Sequence, residues 1–416
     1  MTKTKIPYGS KQIDLDIEAE LLDVEDVDGR RTATIENMDV LRDALRKSLG
    51  TKRLREIFDT RKYPKIVIVV DDHTRDTPTE KMLDALSEEI GEDHKGNITL
   101  LVACGTHSPP TDADLKRILG KYFNLCTIKI HDCDAEDLVY VGTTSRGTPI
   151  RLNRNYVEAD IKILTGDITL HYYAGFGGGR KSILPGISAR ETIKKNHALL
   201  VDEHARTANL ERNPVHLDMS EAAAFAPPDF VLNIIASGNG NVVDAYAGDL
   251  HEVLHKGVEV AKDLFCRETH KLFDILIVSA GGFPKDRDLY QATKAIENCY
   301  RAVVPGGELI LVAECRDGIG DPYFESWMTD YATYEEAEAA IRTNFVLGGH
   351  KAYYMRKVMI RLGLSIVSEL DAHVLTRWQI KPYKSVGEAL AGVKKDKVKI
   401  GIVRKGLDTL IVPAIR

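Results

Sequence analysis

A chain of 416 residues with 44% hydrophobic and 28% charged side chains can build two or three complete cores. Its formal net charge is −6, with Lys and Arg spread along the sequence, which argues against a dedicated nucleic-acid surface. No signal-type apolar core opens the chain and no run of about 18 apolar residues occurs, so a cytoplasmic protein without a membrane span is expected. The six cysteines form no CxxC pair, so free and mostly buried thiols are expected.

In chain order, apolar runs of strand length appear at 65–70 (KIVIVV), 98–103 (ITLLVA), 161–166 (IKILTG), 230–236 (FVLNIIA), 273–282, 308–314 and 399–403. Several lack polar alternation, the pattern of strands buried on both faces. Helical periods lie between them, at 80–90 and 112–120 for example. The expectation is an α/β fold: two α/β domains with largely parallel sheets and an active-site cleft between them. The expected N-terminal domain spans 1–268 and the C-terminal one 269–405, with 406–416 returning to the first.

The strand ends carry polar clusters. The first runs into DDHTRDTPTEK (71–81), where Thr77 is the expected helix cap, Pro78 the first helical residue and Glu80 the closing member of a capping box. Asp72, His73, Thr74 and Arg75 then lie between a strand and a helix N-terminus, a position suited to anions. A solvated turn fits the same spacing equally well. The second runs into CGTHSPPT (104–111), placing His107 one strand–helix unit on, before a Thr111 cap.

The third leads to HYYAGFGGGRKSILPG (171–186). From Gly175 the sixth position is Arg180, so neither the Walker pattern nor GxGxxG is satisfied. A turn whose lysine points into water is the commonest outcome for such a loop. The glycines would otherwise admit a ligand close to the backbone. Further on, His251-Glu252-Val253-Leu254-His255 matches HExxH. Among 13 histidines an accidental pair is readily produced, and Leu250, Val253, Leu254, Val258 and Ala261 read as the buried face of an ordinary helix.

DDHTR (71–75), CGTHSPPT (104–111), HYYAGFGGGRKSILPG (171–186), His197 and YQATKA (290–295) resemble, in order, the lactate racemase family. That resemblance implies a nickel-pincer nucleotide, a pyridinium mononucleotide holding nickel through a ring carbon and two sulfurs. It implies covalent attachment at Lys181, or binding without that link, and nickel ligation by His197. It implies His107 and His171 as proton acceptor and donor, cofactor contacts from Asp72, His73, Thr74 and Arg75, and substrate contacts from Arg75, Gln291 and Lys294. The implied reaction is racemisation or epimerisation of a small 2-hydroxy acid, lactate or a relative, by hydride transfer through a 2-oxo acid. Two bases are needed because the enantiomers place their hydroxyls differently, and histidine titrates in the right range. Cofactor-making proteins are the implied partners. Arg180 depresses the lysine, binds phosphate or faces solvent; spacing does not choose. Two other readings stay open: a zinc-dependent hydrolase built on His251 and His255, and a non-catalytic α/β protein that binds a nucleotide or metabolite.

Overall fold

The computed structural model describes residues 2–24, 37–59, 64–91, 96–236, 241–393 and 398–414. The chain forms two units, Asp26–Lys262 and Met1–Glu25 with Asp263–Arg416.

The first unit is built on β1 (Ile66–Asp71), β2 (Ile98–Ala103), β3 (Thr127–Ile130), β4 (Ile161–Asp167), β5 (Phe230–Ala236) and β6 (Val242–Gly248). Their spatial order is β6-β5-β4-β1-β2-β3. Pairing is parallel throughout except between β5 and β6. Ile66 to Val70 are all buried, which is why β1 reads as continuous apolar sequence rather than an alternation. Between strands run α1 (Thr79–Ile90), α2 (Asp112–Leu119), α3 (Arg190–His197) and α4 (Pro214–Phe225), and α5 (Leu250–Phe265) follows β6. One sheet face packs Ile66, Ile68, Leu100, Ile163 and Leu232 against Leu83, Leu86 and Ile118 from the helices.

This order has a direct functional consequence. The chain steps outward from β1 to β2 to β3, then returns to the other side of β1 for β4, β5 and β6. The winding reverses between β1 and β4, and a crevice opens at the carboxyl ends of two such strands. Asp71 ends β1 and Asp167 ends β4.

The second unit holds β7 (Phe273–Ser279), α6 (Leu289–Cys299), β8 (Val303–Val312), β9 (Gly363–Val367), β10 (Lys381–Tyr383) and β11 (Ile400–Val403). Its sheet has the order β10-β9-β8-β7-β11, with Glu20–Leu21 on the outer edge, and is parallel throughout. The expected domain limits differ from this division. An N-terminal hairpin, Thr2–Tyr8 with Lys11–Ile17, belongs to the second unit because Ile6 and Leu15 are buried in its core. The segment after 405 stays in that unit as well, since Leu410–Pro413 pairs with Cys266–Thr269.

The start of α1 also departs from expectation. Thr77 does not cap it: the cap position falls on Pro78, and the Thr77 hydroxyl donates to Asp71 Oδ2 at 2.6 Å. The helix begins at Thr79 after Pro78, and Glu80 accepts instead from the Lys121 N–H at 3.0 Å. Thr111 does cap α2, in a reciprocal box with Asp114. All six cysteines are free, four of them buried.

Candidate active site

The end of β1 is organised by Asp72, only 3% exposed. Its Oδ1 accepts from the Thr74 N–H at 3.0 Å and the Thr74 hydroxyl at 2.6 Å, which closes the turn locally. Its Oδ2 lies 2.6 Å from His107 Nδ1, delivered by the end of β2. Burial pushes the Asp72 carboxyl up, but the bonds from His107 and Thr74 outweigh it and hold it below the usual range. A carboxylate only accepts, so Nδ1 of His107 carries a proton, and in the neutral ring the lone pair lies on Nε2. Arg75 is exposed on the same turn, and Arg117 ties the turn down by donating to the His73 carbonyl at 3.0 Å. The His73 ring is half-buried, and its Nδ1 has no hydrogen-bond partner among the described residues.

The end of β4 leads into the glycine loop. Gly175, Gly178 and Gly179 have φ of +79°, +72° and +52°, conformations that side chains rarely adopt. A Cβ on Gly175 would lie 2.3 Å from the Asn209 carbonyl oxygen, and one on Gly178 would lie 2.7 Å from Ile168 Cγ1. These glycines therefore let the loop pack against its own chain. Arg180 is 1% exposed and donates to the carbonyls of Ala174 at 2.8 Å, Gly177 at 3.1 Å and Gly178 at 3.3 Å. Burial pulls its guanidinium down to about 9, so the group is still charged at neutral pH. Arg180 thus clamps the loop from within, a role the sequence did not suggest.

Lys181 follows directly and is half-buried. Burial, then the charges of Arg75 and Arg180, bring its ammonium well below the ordinary lysine value, with Asp71 opposing. His171 is also half-buried, and its Nδ1 accepts from the Ala174 N–H at 3.2 Å. The neutral ring therefore carries its proton on Nε2, the opposite tautomer to His107. Burial, then Lys181, Arg75, His197 and Arg180, hold the His171 imidazolium well below its usual range.

The Tyr173 ring links these groups. Its centroid lies 4.5 Å from the His171 ring and 5.0 Å from the His197 ring, with Lys181 Nζ 5.9 Å away. His197 ends α3, is 4% exposed, and has Nδ1 3.0 Å from Asn196 Oδ1. The fold thus assembles His171, Lys181 and His197 beside the β1–β4 reversal, with Asp72 and His107 on the neighbouring strand ends. Asp167 stands there too, its carboxyl raised to about 8 by burial and by Asp71.

Gln291 and Lys294 lie on α6 in the second unit, where Asp288 caps the helix and Lys294 Nζ donates to Gln291 Oε1 at 2.9 Å. His251, Glu252 and His255 are exposed on α5, above a buried stripe of Leu250, Val253, Leu254, Val258 and Ala261. Among the described residues one group of three potential ligands occurs, Asp132, Cys133 and Asp134, and it includes none of these histidines. Asp134 is already engaged by Arg190 through two bonds of 2.7 Å. Sequence reasoning passed over Tyr173, Asp167 and Asn196; the adjacency of Asn196 to His197 was the one available signal.

A doubly wound α/β unit with a lysine and three histidines at its reversal point defines the class as an α/β enzyme with a built polar site. Residues 8–208 match the lactate racemase N-terminal domain and 269–411 the lactate racemase C-terminal domain. The chain is 30% identical to the lactate racemase of Thermoanaerobacterium thermosaccharolyticum, covering 99% of both chains. It is also 30% identical to that of Lactiplantibacillus plantarum, covering 99% of this chain and all of the other. The structure of the T. thermosaccharolyticum lactate racemase apoprotein superposes with a TM-score of 0.90 at 29% identity, over 99% of this chain and 100% of that one. A Thermotoga maritima protein at 17% identity and TM-score 0.66, covering 90% of this chain and 98% of that one, shares the fold. The chain belongs to the lactate racemase family and is an isomerase. Among the described residues no helix is long and apolar enough to cross a membrane.

Proposed function

We propose that this enzyme racemises or epimerises lactate or a related small 2-hydroxy acid with a nickel-pincer nucleotide as cofactor. The observation that carries the proposal is the grouping of Lys181, His171 and His197 around Tyr173 at the strand reversal. The donor set fits such a group. Lys181 is biased toward the neutral amine, the form that bonds covalently to an electrophile. His197 has its Nδ1 turned to Asn196, which leaves Nε2 as the ligand nitrogen. When bound, the cofactor supplies a hydride acceptor, so that the α-C–H bond breaks without a carbanion.

The chain's own residues handle the proton and the charge. His107, backed by the Asp72 carboxylate, takes the substrate hydroxyl proton at Nε2. The Asp72 charge stabilises the imidazolium that results. His171 presents its Nε2–H to the carbonyl oxygen that forms as a hydrogen-bond donor. It gives up a proton on the return only from its imidazolium, taking one up as His107 sheds its own, so the two histidines exchange roles with no net change in protons. Arg75, exposed on its turn, pairs with the substrate carboxylate through two parallel bonds. Gln291 and Lys294 are proposed as further substrate contacts. Asp72, His73 and Thr74 are proposed to contact the cofactor.

The test is intact mass and nickel content of protein from a host carrying the cofactor-making enzymes, followed by a chiral assay on a panel of 2-hydroxy acids. A mass increment mapping to Lys181 with about one nickel per chain is expected. Nickel without an adduct would mean non-covalent binding at the same site. Neither nickel nor adduct would sink the proposal.

A further inference from the structure

His197 belongs to a buried chain of hydrogen bonds that the sequence does not advertise. Asn196, fully buried, turns its amide nitrogen toward Val215 O at 3.1 Å and Asp218 Oδ2 at 2.9 Å. Both partners are acceptors, so the NH₂ group must face them and the amide oxygen must face His197 Nδ1, 3.0 Å away. An amide oxygen only accepts. The histidine nitrogen that meets it is therefore the protonated one. Asp218, also fully buried, is held in turn by the hydroxyls of Thr144 at 2.6 Å and Thr148 at 2.9 Å. The Thr148 N–H donates to Thr144 Oγ1 at 3.1 Å, so the Thr144 proton is committed to Asp218.

Three separate segments meet in this chain. Asn196 comes from α3 and Asp218 from α4. Thr144 and Thr148 come from the turn that joins the strands Val139–Thr143 and Pro149–Leu152. Every link has one possible donor and one possible acceptor, so the polarity runs without ambiguity from the threonines to the carboxylate, to the amide and to the imidazole.

We propose that Asn196 and Asp218 are positioning residues that lock His197 in the tautomer with its proton on Nδ1 and its lone pair on Nε2, ready to ligate a metal. The inference rests on the reading of His197 as the ligand residue. Partners beyond the ligands themselves typically change metal affinity by about 10–100-fold when removed.

The test begins on the apoprotein, where no cofactor is needed. Histidine-¹⁵N-labelled protein is examined by long-range ¹H–¹⁵N correlation, with His197 assigned by comparison with His197→Gln. Wild type is expected to show Nδ1 protonated and Nε2 bare. Asn196→Ala is expected to move His197 toward the other tautomer. Thr148→Val, a milder change that removes one donor to Asp218, is expected to give a smaller shift of the same sign. Both variants are then loaded in the cofactor-making host, and nickel retention on dialysis is expected to weaken by about 10–100-fold for Asn196→Ala. A wild-type His197 protonated on Nε2 would overturn the proposal. So would a tautomer unchanged in a folded Asn196→Ala protein. Failure of wild type to take up nickel would instead remove the cofactor reading while the tautomer result stood.

Discussion

Arg180 offers the sharpest perturbation, because it holds three loop carbonyls from inside the protein. Arg180→Met fills a similar volume but removes every donor. The carbonyls of Ala174, Gly177 and Gly178 then lose their guanidinium partners in a region closed to solvent. Each buried acceptor left unpaired costs about 1–3 kcal/mol. Relaxation and partial replacement by the remaining donors bring the total to about 3–5 kcal/mol, in the range of a broken buried network. Because the damage is local, amide hydrogen exchange is the appropriate assay. Protection of residues 174–186 is expected to fall by about a hundredfold to a few thousandfold, since about 1.4 kcal/mol is tenfold. A second readout concerns charge. With Arg180 gone, one of the two cations that depress Lys181 is missing, so its ammonium should hold its proton more firmly. Acylation of Lys181 near pH 7.5 should therefore slow relative to wild type, whereas Arg180→Lys should keep more of the rate while still losing the fork geometry. Unchanged exchange protection together with an unchanged Lys181 acylation rate would refute the clamp.

Two further predictions use the neighbouring carboxyls. Asp72→Asn removes the group that fixes the His107 tautomer, and turnover is expected to fall by about 10²–10⁴-fold, as for loss of a general base. The double variant Asp72→Asn, His107→Gln should be little worse than either single one if they act as a unit; additive losses in steady-state kinetics would contradict that. Asp167 should make stability pH-dependent in a defined direction. Its carboxyl is raised from 3.8 to about 8, so the folded state binds the extra proton and stability is lost as pH rises through that window. The slope is at most about 1.4 kcal/mol per pH unit for one proton. His171 and Lys181 are lowered and act with the opposite sign, so the informative quantity is the difference between wild type and Asp167→Asn in urea unfolding from pH 5 to 8. The stability of Asp167→Asn minus that of wild type should rise with pH; a flat difference would place the shift elsewhere.

How much of this was legible in the sequence follows from what each residue responds to. β1, β2, β4 and β5 were readable because burial on both faces leaves mostly apolar runs without polar alternation. β3 was not, because its TIKI sequence lies at a sheet edge, where the alternation is weak and its residues are mostly exposed. The hairpin at the N-terminus was missed as part of the second unit because its partner residues lie more than 250 positions away, as in the bond from Ser279 Oγ to Pro7 O. Thr77 satisfied every local rule for a cap, yet the helix starts one residue later and the Thr77 hydroxyl turns to the half-buried Asp71 at the end of the preceding strand. The glycine cluster was read as a turn or as room for a ligand, and spacing could not show that the missing side chains of Gly175 and Gly178 also make room for Asn209 and Ile168.

The site itself shows why local spacing reaches only part of the way. His107 and His171 each follow a strand, which the sequence shows, but their strands β2 and β4 are not neighbours; β1 lies between them. Only the sheet order reveals that the winding reverses between β1 and β4, and hence that Asp71, Asp72 and Asp167 gather where the chain turns back. Concentrating three carboxyls there would be costly unless some were neutralised. Asp72 is held ionised by His107 and Thr74, whereas Asp167 takes up a proton instead. The same crowding brings Arg75 close enough to depress both Lys181 and His171. A lysine biased toward its neutral form therefore follows from the strand order as much as from its own loop, so Lys181 grafted with its glycines onto a sheet of another winding should label at an ordinary lysine rate.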